Sequence, residues 1–277
     1  MTTMESIATA HRPVTPHSIL VSKLEQLQEE LLSRGSHMDV LDLVDECKSL
    51  VSTMDQYLLE CSSTPSTTLQ QLEASSNAMD WDSAFAKADT ALPLEREMLS
   101  GALEGQFLKF LVAATQSKSI LEIGSFTSYA SLAMAESLPA DGLLIACEYD
   151  AFTADFARRQ LDQSKHGDKV QIIKGDALDS MQSLASKDLK FDFVFIDANK
   201  DGYINYYQSL FDLNLLAPQA VIVVDNTLYM GQAYNAGPVN SNGRAIQDFN
   251  KMIAGDNRVQ KVMIPLRDGV TLIRHCE

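Results

Sequence analysis

Two apolar segments of the sequence each end in side chains that carry oxygen ligands. The first, residues 191–196, leads to Asp197, and the second, residues 221–224, leads to Asp225 and Asn226. Short β-branched and aromatic runs of this kind predict strands buried on both faces of a parallel sheet. Ligands bind beyond the carboxyl ends of such strands, and three oxygen ligands there would suit a hard divalent cation. The alternative is that each Asp caps the helix after its strand.

A glycine turn follows the first predicted strand, residues 119–123. Gly124 lets the chain turn sharply and approach a ligand closely, and the start of the next helix offers free backbone N–H groups. Glu148 ends the second strand, where its carboxylate is well placed to accept hydrogen bonds from a ribose diol. The sequence has one glycine where a dinucleotide site has GxGxxG, which favours an adenosine cofactor without phosphates, such as S-adenosylmethionine. An ordinary turn is the alternative.

The segment Gly175-Asp176-Ala177 closes the third predicted strand in the same way. Groups that contact an adenine ring could lie there. Asp176 could equally cap the helix that follows, and the two interpretations are compatible.

Composition narrows the classes of partner. The chain has 277 residues, 45% of them hydrophobic, with a net charge of −15 and a pI of about 4.7. Such an acidic chain repels phosphate backbones and anionic lipid, so we expect neither nucleic acid nor a membrane as partner. No apolar run is long enough to cross a bilayer, and the N-terminus lacks the apolar region of a secretory signal. The four cysteines show no CxxC or zinc spacing, which favours reduced thiols in a cytoplasmic protein.

The N-terminal third is predicted to be helical. Residues 1–17 are expected to be a flexible tail, and residues 18–93 a helical extension in which Ser18 caps the first helix. A second apolar stripe at helical spacing runs from Val40 to Leu58. Thr67 or Thr68 is expected to start a short helix after a turn-rich break. A further helix is expected at residues 94–115.

Regular strand–helix alternation follows. Strands are predicted at residues 119–123, 143–148, 170–173, 191–196, 220–225, 259–264 and 270–275, with helices at about 128–138, 151–165, 178–187, 201–216 and 243–254. This alternation predicts an α/β fold with a Rossmann-like, doubly wound seven-stranded sheet, mostly parallel, in residues 94–277. The short Asp268-Gly269 connection predicts a terminal hairpin, so one strand near the C-terminus is expected to run antiparallel.

Together these segments resemble a known family. The order and spacing of LEIGSFTSYASLAMAESLPADG, Glu148, GDAL, FDFVFIDANKDGYINYY, VVDNTLYMG and the terminal DGVTLIR are similar to those of the cation-dependent O-methyltransferases, the group of caffeoyl-CoA O-methyltransferase. Catechol O-methyltransferase is a more distant relative of that group. The resemblance covers roughly residues 94–275, including the EGQFL segment that starts at Glu104, and it leaves out the first 55 or so.

The resemblance implies a role for particular residues. Asp197, Asp225 and Asn226 match the metal ligands, usually of Mg²⁺, with Mn²⁺ or Ca²⁺ as other candidates. Lys200 matches the lysine regarded as general base in the catechol-type enzymes. The positions that match the S-adenosylmethionine site are Ser100, Glu122, Gly124, Ser125, Glu148, Ala177 and Asp197.

The sequence also departs from the family pattern. Ala130 stands at a usual serine position of the cofactor site, and Asn199 stands where many plant members have a second Asp. Tyr229 and Met230 replace a Trp-Asn pair near the acceptor. Because the chain also shows no evident basic cluster for the phosphates of coenzyme A, these changes argue against a CoA thioester as acceptor.

The reaction expected on this basis is methyl transfer to one hydroxyl of a catechol-like small molecule. A phenolate is the better nucleophile, and chelation of both vicinal oxygens by a divalent cation would lower the phenol pKa. Lys200 would take the proton or hold the phenolate electrostatically; an isolated lysine is more often a surface residue. An NAD-dependent oxidoreductase and a non-catalytic scaffold are the alternatives.

Several tyrosines and histidines are expected to have structural roles, and the N-terminal helices are expected to affect the oligomeric state or the acceptor pocket. Tyr203, Tyr206 and Tyr207 share one helix and are interpreted as packing residues. His166 and His275 have no partners suggesting a triad and are given structural roles. The family suggests a homodimer, and the helices of residues 18–60 are expected to join its interface or to cover the acceptor pocket.

Overall fold

The computed structural model describes residues 12–275. Residues 1–11, which make up most of the expected flexible tail, lie outside the described residues, as do residues 276–277. Within the described part, no helix is both long enough and apolar enough to cross a membrane.

From residue 12 onward, five helices precede the sheet domain: α1 (Pro16–Ser33), α2 (Met38–Ser52), α3 (Met54–Glu60), α4 (Thr67–Ala78) and α5 (Trp81–Ala86). Helix α1 begins earlier than expected, because Thr15 rather than Ser18 is its N-cap. The Thr15 hydroxyl accepts a hydrogen bond from the Ser18 N–H at 3.1 Å, and the Ser18 side chain closes the reciprocal capping box. Pro16 fits the first turn, where its missing N–H costs nothing.

The helix expected at residues 94–115 is shorter than predicted. Helix α6 spans Gly101–Ala114, and only a 3-10 turn, Arg96–Met98, precedes it. Gly101, the first residue of α6, has φ +73°, a left-handed conformation that a right-handed α-helix does not continue through. Leu99 is extended, so the chain changes direction at this point and the helix starts after it.

The described residues form seven strands: β1 (Ser119–Ile123), β2 (Leu143–Glu148), β3 (Val170–Lys174), β4 (Phe191–Ile196), β5 (Leu216–Val224), β6 (Val259–Ile264) and β7 (Val270–His275). They form one sheet in the order β3-β2-β1-β4-β5-β7-β6. Strand β7 runs antiparallel to both of its neighbours, and the other pairings are parallel. The predicted mostly parallel, seven-stranded sheet with one antiparallel strand is therefore confirmed.

Helices cover both faces of the sheet. The remaining helices are α7 (Tyr129–Ala135), α8 (Ala151–Leu161), α9 (Ala177–Ser186), α10 (Tyr203–Asp212) and α11 (Ser241–Gly255). Strand β4 shows the two-sided burial: Val194 and Ile196 join one core cluster, with side chains of α9, α10 and α11. Phe193 and Phe195 join the other, with side chains of α4, α6 and α7. Because both faces are buried, the open carboxyl edge of the parallel strands is left for ligands.

Candidate active site

The turn after β1 lies against the end of β4. Gly124 has φ +87°, and its N–H donates to the Cys147 carbonyl at 3.0 Å. A Cβ on Gly124 would lie 2.5 Å from the Asp197 carbonyl oxygen and 2.7 Å from the Ala198 Cα. Only glycine fits a position this tight, so the sequence places one of its candidate cofactor residues in direct backbone contact with a candidate metal ligand.

Glu148, at the end of β2, organises the same turn. Its carboxylate accepts hydrogen bonds from the N–H groups of Ser125 at 3.2 Å, Phe126 at 2.7 Å and Asp150 at 2.9 Å. Burial raises the pKa of Glu148 although these three hydrogen bonds lower it. The structure thus brings the predicted Gly124, Ser125 and Glu148 together, and the Glu148 oxygens retain lone pairs for a further donor.

Glu122 is a fully buried carboxyl group in the middle of the sheet. Its Oε2 accepts a hydrogen bond from the Ser131 hydroxyl, while its Oε1 has no hydrogen-bond partner among the described residues. Burial raises the pKa of Glu122 to about 8. The hydroxyls of Ser125 and Ser128 are also buried and find no hydrogen-bond partner within residues 12–275. Buried polar atoms are normally satisfied, so unpaired ones along the β1–α7 connection fit a polar ligand such as S-adenosylmethionine.

Two further predicted cofactor residues lie at helix starts. Ser100 directly precedes α6, and Ala177 is the first residue of α9. Asp176 caps α9, because its Oδ1 accepts from the Leu178 N–H at 2.8 Å. The capping alternative for Asp176 is therefore confirmed.

Asp197 follows β4, and Asp225 and Asn226 follow the neighbouring strand β5. Ile196 pairs with Val224, and the Asp225 N–H donates to the Ile196 carbonyl at 3.0 Å, which sets Asp197 and Asp225 side by side. Neither residue caps a helix, since Gly202 and Asn240 occupy the N-cap positions that follow. The capping alternative for these two residues is wrong.

The chemistry of this set fits a hard cation. Asp225 Oδ1 is buried, and no residue of the described chain gives it a hydrogen bond. Burial, together with the charge of Asp197, raises the pKa of Asp225 to about 7. Within residues 12–275 no group of three or more His, Cys, Asp or Glu side chains is arranged to hold a metal, so a cation held by Asp197 and Asp225 would need a third ligand of another type, such as the Asn226 amide. Oxygen donors of this kind suit Mg²⁺ or Ca²⁺.

Lys200 is a mostly buried cation, its side chain 13% exposed, rather than a surface residue. Its Nζ donates to Asp197 Oδ1 at 2.9 Å, to the Ala198 carbonyl at 3.1 Å and to the Tyr203 hydroxyl at 2.8 Å. Burial lowers the pKa of Lys200, but the neighbouring Asp197 carboxylate outweighs it, and the net pKa is raised. Lys200 therefore carries its proton while Asp197 is free to pair with it.

Tyr203 has a second role that the helical pattern did not reveal. Its ring packs edge-on against Phe249 with centroids 5.6 Å apart, as expected of a packing residue. Its hydroxyl also donates to the Asp225 backbone carbonyl at 3.2 Å while accepting from Lys200. Tyr203 thus links the lysine to the strand tip that carries Asp225.

The sequence did not predict that a group of charged residues surrounds the candidate metal ligands. Glu104 of α6 is buried, and Arg267 Nη1 lies 3.3 Å from its Oε2. Burial and the charge of Asp225 raise the pKa of Glu104 well above its usual value. Asp268 accepts the Met230 N–H at 2.6 Å and lies 3.5 Å from the Asn226 Nδ2. Glu104 and Asp268 lie in the EGQFL and DGV segments that carry the family resemblance, and Arg267 directly precedes Asp268. Only the fold shows that these residues share one site.

Comparison with known proteins agrees with this arrangement. The O-methyltransferase family model matches residues 73–276. A caffeoyl-CoA O-methyltransferase from Petroselinum crispum is 37% identical over 186 residues, which are 64% of this chain and 76% of the relative. Caffeoyl-CoA O-methyltransferase 1 from Arabidopsis thaliana is 31% identical over 240 residues, or 82% and 86% of the two chains.

Solved structures show the same likeness. The SAH-bound methyltransferase PaMTH1 from Podospora anserina matches with a TM-score of 0.72 and 25% identity, over 83% of this chain and 97% of that one. The SAM complex of the O-methyltransferase TomG from Streptomyces achromogenes, involved in tomaymycin synthesis, matches with a TM-score of 0.67 and 28% identity, over 81% and 96%.

Proposed function

The chain belongs to the O-methyltransferase family, in its caffeoyl-CoA O-methyltransferase-like group, and we propose that it methylates one hydroxyl of a catechol-like small molecule. The proposed reaction needs a divalent cation, and Mg²⁺ is the first candidate. It is an S-adenosylmethionine-dependent O-methyltransferase, which removes the nicotinamide-dependent and non-catalytic alternatives. The observation that carries the proposal is the adjacency of Asp197 and Asp225, one with an unpaired buried oxygen, beside Lys200.

The cofactor half of the site is proposed to be built on the β1 turn. Glu148 would accept the ribose hydroxyls, because its carboxylate is already fixed by backbone N–H groups. The close approach at Gly124 would bring the cofactor against the tip of β4, where Asp197 follows. The set proposed to line this half is Ser100, Glu122, Gly124, Ser125, Glu148, Ala177 and Asp197.

The acceptor half is proposed to be built on the tips of β4 and β5. Asp197, Asp225 and Asn226 would hold the cation, which when bound supplies the positive charge that lowers the pKa of a chelating phenol. Lys200 lies within 2.9 Å of one ligand, close enough to place its ammonium group beside the acceptor oxygen. The alignment of acceptor and methyl donor in one cleft supplies a further rate gain, about 7–11 kcal/mol for well-oriented reactants.

The proposed acceptor is a small diphenol rather than a CoA thioester. Tyr229 and Met230 occupy the segment after β5, and both have a left-handed backbone, with φ +39° and +55°. The Met230 N–H is held by Asp268, so the unusual backbone is fixed. Since the relatives compared above are named for caffeoyl-CoA, this segment is where the present chain is proposed to differ from them in substrate.

The test is product analysis by mass spectrometry after incubation with S-adenosylmethionine and Mg²⁺. The panel contains vicinal diphenols, the matching monophenols and caffeoyl-CoA. We expect singly methylated diphenols, no methylated monophenols, and loss of product in EDTA or in the Asp197→Ala and Asp225→Ala variants. Unchanged turnover in EDTA would eliminate the metal role, and methylation of caffeoyl-CoA alone would refute the proposed acceptor class.

A further inference from the structure

The connection between β6 and β7 packs against the segment that follows β5. The Thr227 N–H donates to the Gly269 carbonyl at 2.9 Å, and the Leu228 N–H donates to the Asp268 carbonyl at 2.8 Å. Gly269 has φ +88°, and a Cβ there would lie 2.4 Å from the Leu228 Cγ and 2.8 Å from the Leu228 nitrogen. The two loops are therefore in backbone contact, close enough for one to fix the shape of the other.

Asp268 reaches from this connection to both ends of the segment 226–230. The residue is buried, with 6% of its surface exposed. Its Oδ1 accepts a hydrogen bond from the Met230 N–H at 2.6 Å, and its Oδ2 lies 3.5 Å from the Asn226 Nδ2. One carboxylate thus contacts a candidate metal ligand and a residue of the segment in which the acceptor preference is proposed to lie.

The backbone of segment 226–230 needs support of this kind. Asn226, Tyr229 and Met230 all have left-handed backbones, with φ +57°, +39° and +55°. This conformation is uncommon for residues other than glycine, and it persists only where surrounding contacts hold it in place. Asp268 contacts two of the three residues, so its side chain does more than close its own turn.

The orientation of the Asn226 amide decides whether it can serve as a metal ligand. An amide has an oxygen acceptor on one side and an NH₂ donor group on the other, and only the oxygen suits a hard cation. Ligands in metal sites are oriented by hydrogen bonds to groups that do not touch the metal. The Asn226 NH₂ group faces Asp268, which leaves the amide oxygen available.

We propose that Asp268 is a positioning residue, which holds the Asn226 amide with its oxygen towards the cation and fixes the Met230 backbone through the same carboxylate. A cation at Asp197, Asp225 and Asn226 is part of the proposed function, on which this role of Asp268 rests. Asp268 itself is not proposed as a ligand. It gives the cation site and the acceptor segment one common support.

Asp268→Asn separates this role from an effect of charge. The substitution is nearly isosteric, and the new amide oxygen can still accept the Met230 N–H. The new NH₂ group, however, would face the NH₂ group of Asn226. Because two donors cannot pair, we expect the Asn226 amide to turn and to present its NH₂ group to the cation.

The experiment measures Mg²⁺ affinity by titration calorimetry of the full-length chain, with neither S-adenosylmethionine nor acceptor present. We expect Asp268→Asn to weaken Mg²⁺ binding about tenfold or more. The matched background is Asn226→Asp, whose side chain offers the cation an oxygen in either orientation. In that background, the added Asp268→Asn should change the affinity by no more than about twofold, because the coupling acts through the amide.

Two results would overturn the positioning role while Mg²⁺ binding by the wild type persists. An equal loss in both backgrounds would show that Asp268 acts through its charge, and no loss in either would show that it has no role in cation binding. A wild type that does not bind Mg²⁺ would instead refute the proposed cation site, and the role of Asp268 with it.

A second readout concerns Met230. Asp268→Ala removes both hydrogen bonds, whereas Asp268→Asn keeps the one from the Met230 N–H. At saturating Mg²⁺, we expect KM for the diphenol to rise about tenfold for the alanine variant, the effect of one lost hydrogen bond, and to stay within about twofold of the wild type for the asparagine variant. Circular dichroism and unchanged S-adenosylmethionine affinity show that the variants are folded. Equal KM values in the two variants would refute the link to the acceptor segment.

Discussion

At the residue scale, single side chains and one glycine decide the geometry of the site. The polar endings of two strands were enough to predict that Asp197 and Asp225 lie side by side, because the carboxyl ends of neighbouring parallel strands share an edge. That they and Asn226 hold a metal stays a prediction. The sequence could not show that Glu104 and Arg267 join them. Arg267 contacts the Leu99 carbonyl across 168 residues of chain, and no local pattern encodes such a contact.

Gly124→Ala is expected to damage both folding and cofactor binding. The new Cβ would lie 2.5 Å from the Asp197 carbonyl oxygen at a φ of +87°, so the turn or the tip of β4 must move. We expect a loss of roughly 2 kcal/mol or more in the free energy of unfolding, measured by urea denaturation, and weaker S-adenosylmethionine binding by calorimetry. Gly175→Ala is the control: its φ is +119°, but a Cβ there meets nothing within 4 Å. Equal losses in the two variants would show that backbone strain, rather than the close approach, is responsible.

Lys200→Arg separates the two roles proposed for the lysine. Arginine keeps the positive charge but cannot act as a base, because its pKa stays above 12. The ion pair with Asp197 raises the lysine pKa, so we expect electrostatic stabilisation to be the main role. Lys200→Arg should then keep more activity than Lys200→Met in single-turnover assays, with the rate constant of methyl transfer reduced by about tenfold or less against 100-fold or more. Equal inactivation of both variants would instead support the general base.

At the element scale, strong periodicity identified the strands and most helices, and errors concentrated at element ends. The apolar runs of β1, β2 and β4 fixed their limits because both faces are buried. Strand β5 begins at Leu216, earlier than predicted, since Pro218 and the polar Gln219 interrupt the apolar pattern there. The start of α6 was predicted wrongly because no local sequence pattern indicates that Gly101 adopts a left-handed conformation.

The contact between α10 and the end of α11 gives a prediction of pH dependence. Asp256 accepts hydrogen bonds from the Arg258 backbone and guanidinium and from the Tyr207 hydroxyl at 2.9 Å. These hydrogen bonds, with Arg258 the largest contributor, hold the pKa of Asp256 well below its usual value. A lowered folded-state pKa stabilises the protein above the unfolded pKa of about 3.9, and the stabilisation is lost as pH falls through the folded-state value.

Asp256→Asn should therefore destabilise the protein at pH 7 by about 1–3 kcal/mol, with a difference that shrinks progressively below pH 4. Urea denaturation at pH 7 and near pH 3 measures it. Asp212→Asn, at the exposed end of α10, is the control and should have little effect at either pH. A loss for Asp256→Asn that is the same at both pH values would contradict the ionic explanation.

At the scale of the whole molecule, the fold concentrates buried charge at one edge of the sheet. Strands β4 and β5, helix α6 and the β6–β7 connection together bring Glu104, Asp225 and Asp268 close to Lys200 and Arg267. Burial raises the pKa of each of these three acids, so their ionised forms disfavour the folded state. A cluster of buried acids that destabilises the folded state would be avoided in a chain selected only for stability. Its presence agrees with a functional role for these residues.

Asp225→Asn should test in one experiment both the destabilisation caused by the Asp225 carboxylate and its role as a metal ligand. Because the folded-state pKa of Asp225 is raised to about 7, its ionisation destabilises the metal-free protein increasingly from pH 4 to pH 7. In EDTA, the variant should melt higher than the wild type at pH 8, with a difference that disappears towards pH 4. Added Mg²⁺ should raise the melting temperature of the wild type, since ligand that binds only the folded state stabilises it, but not that of the variant. Asp141→Asn, at a surface carboxylate 72% exposed, should keep the full Mg²⁺ shift, and the same shift in Asp225→Asn would place the cation elsewhere.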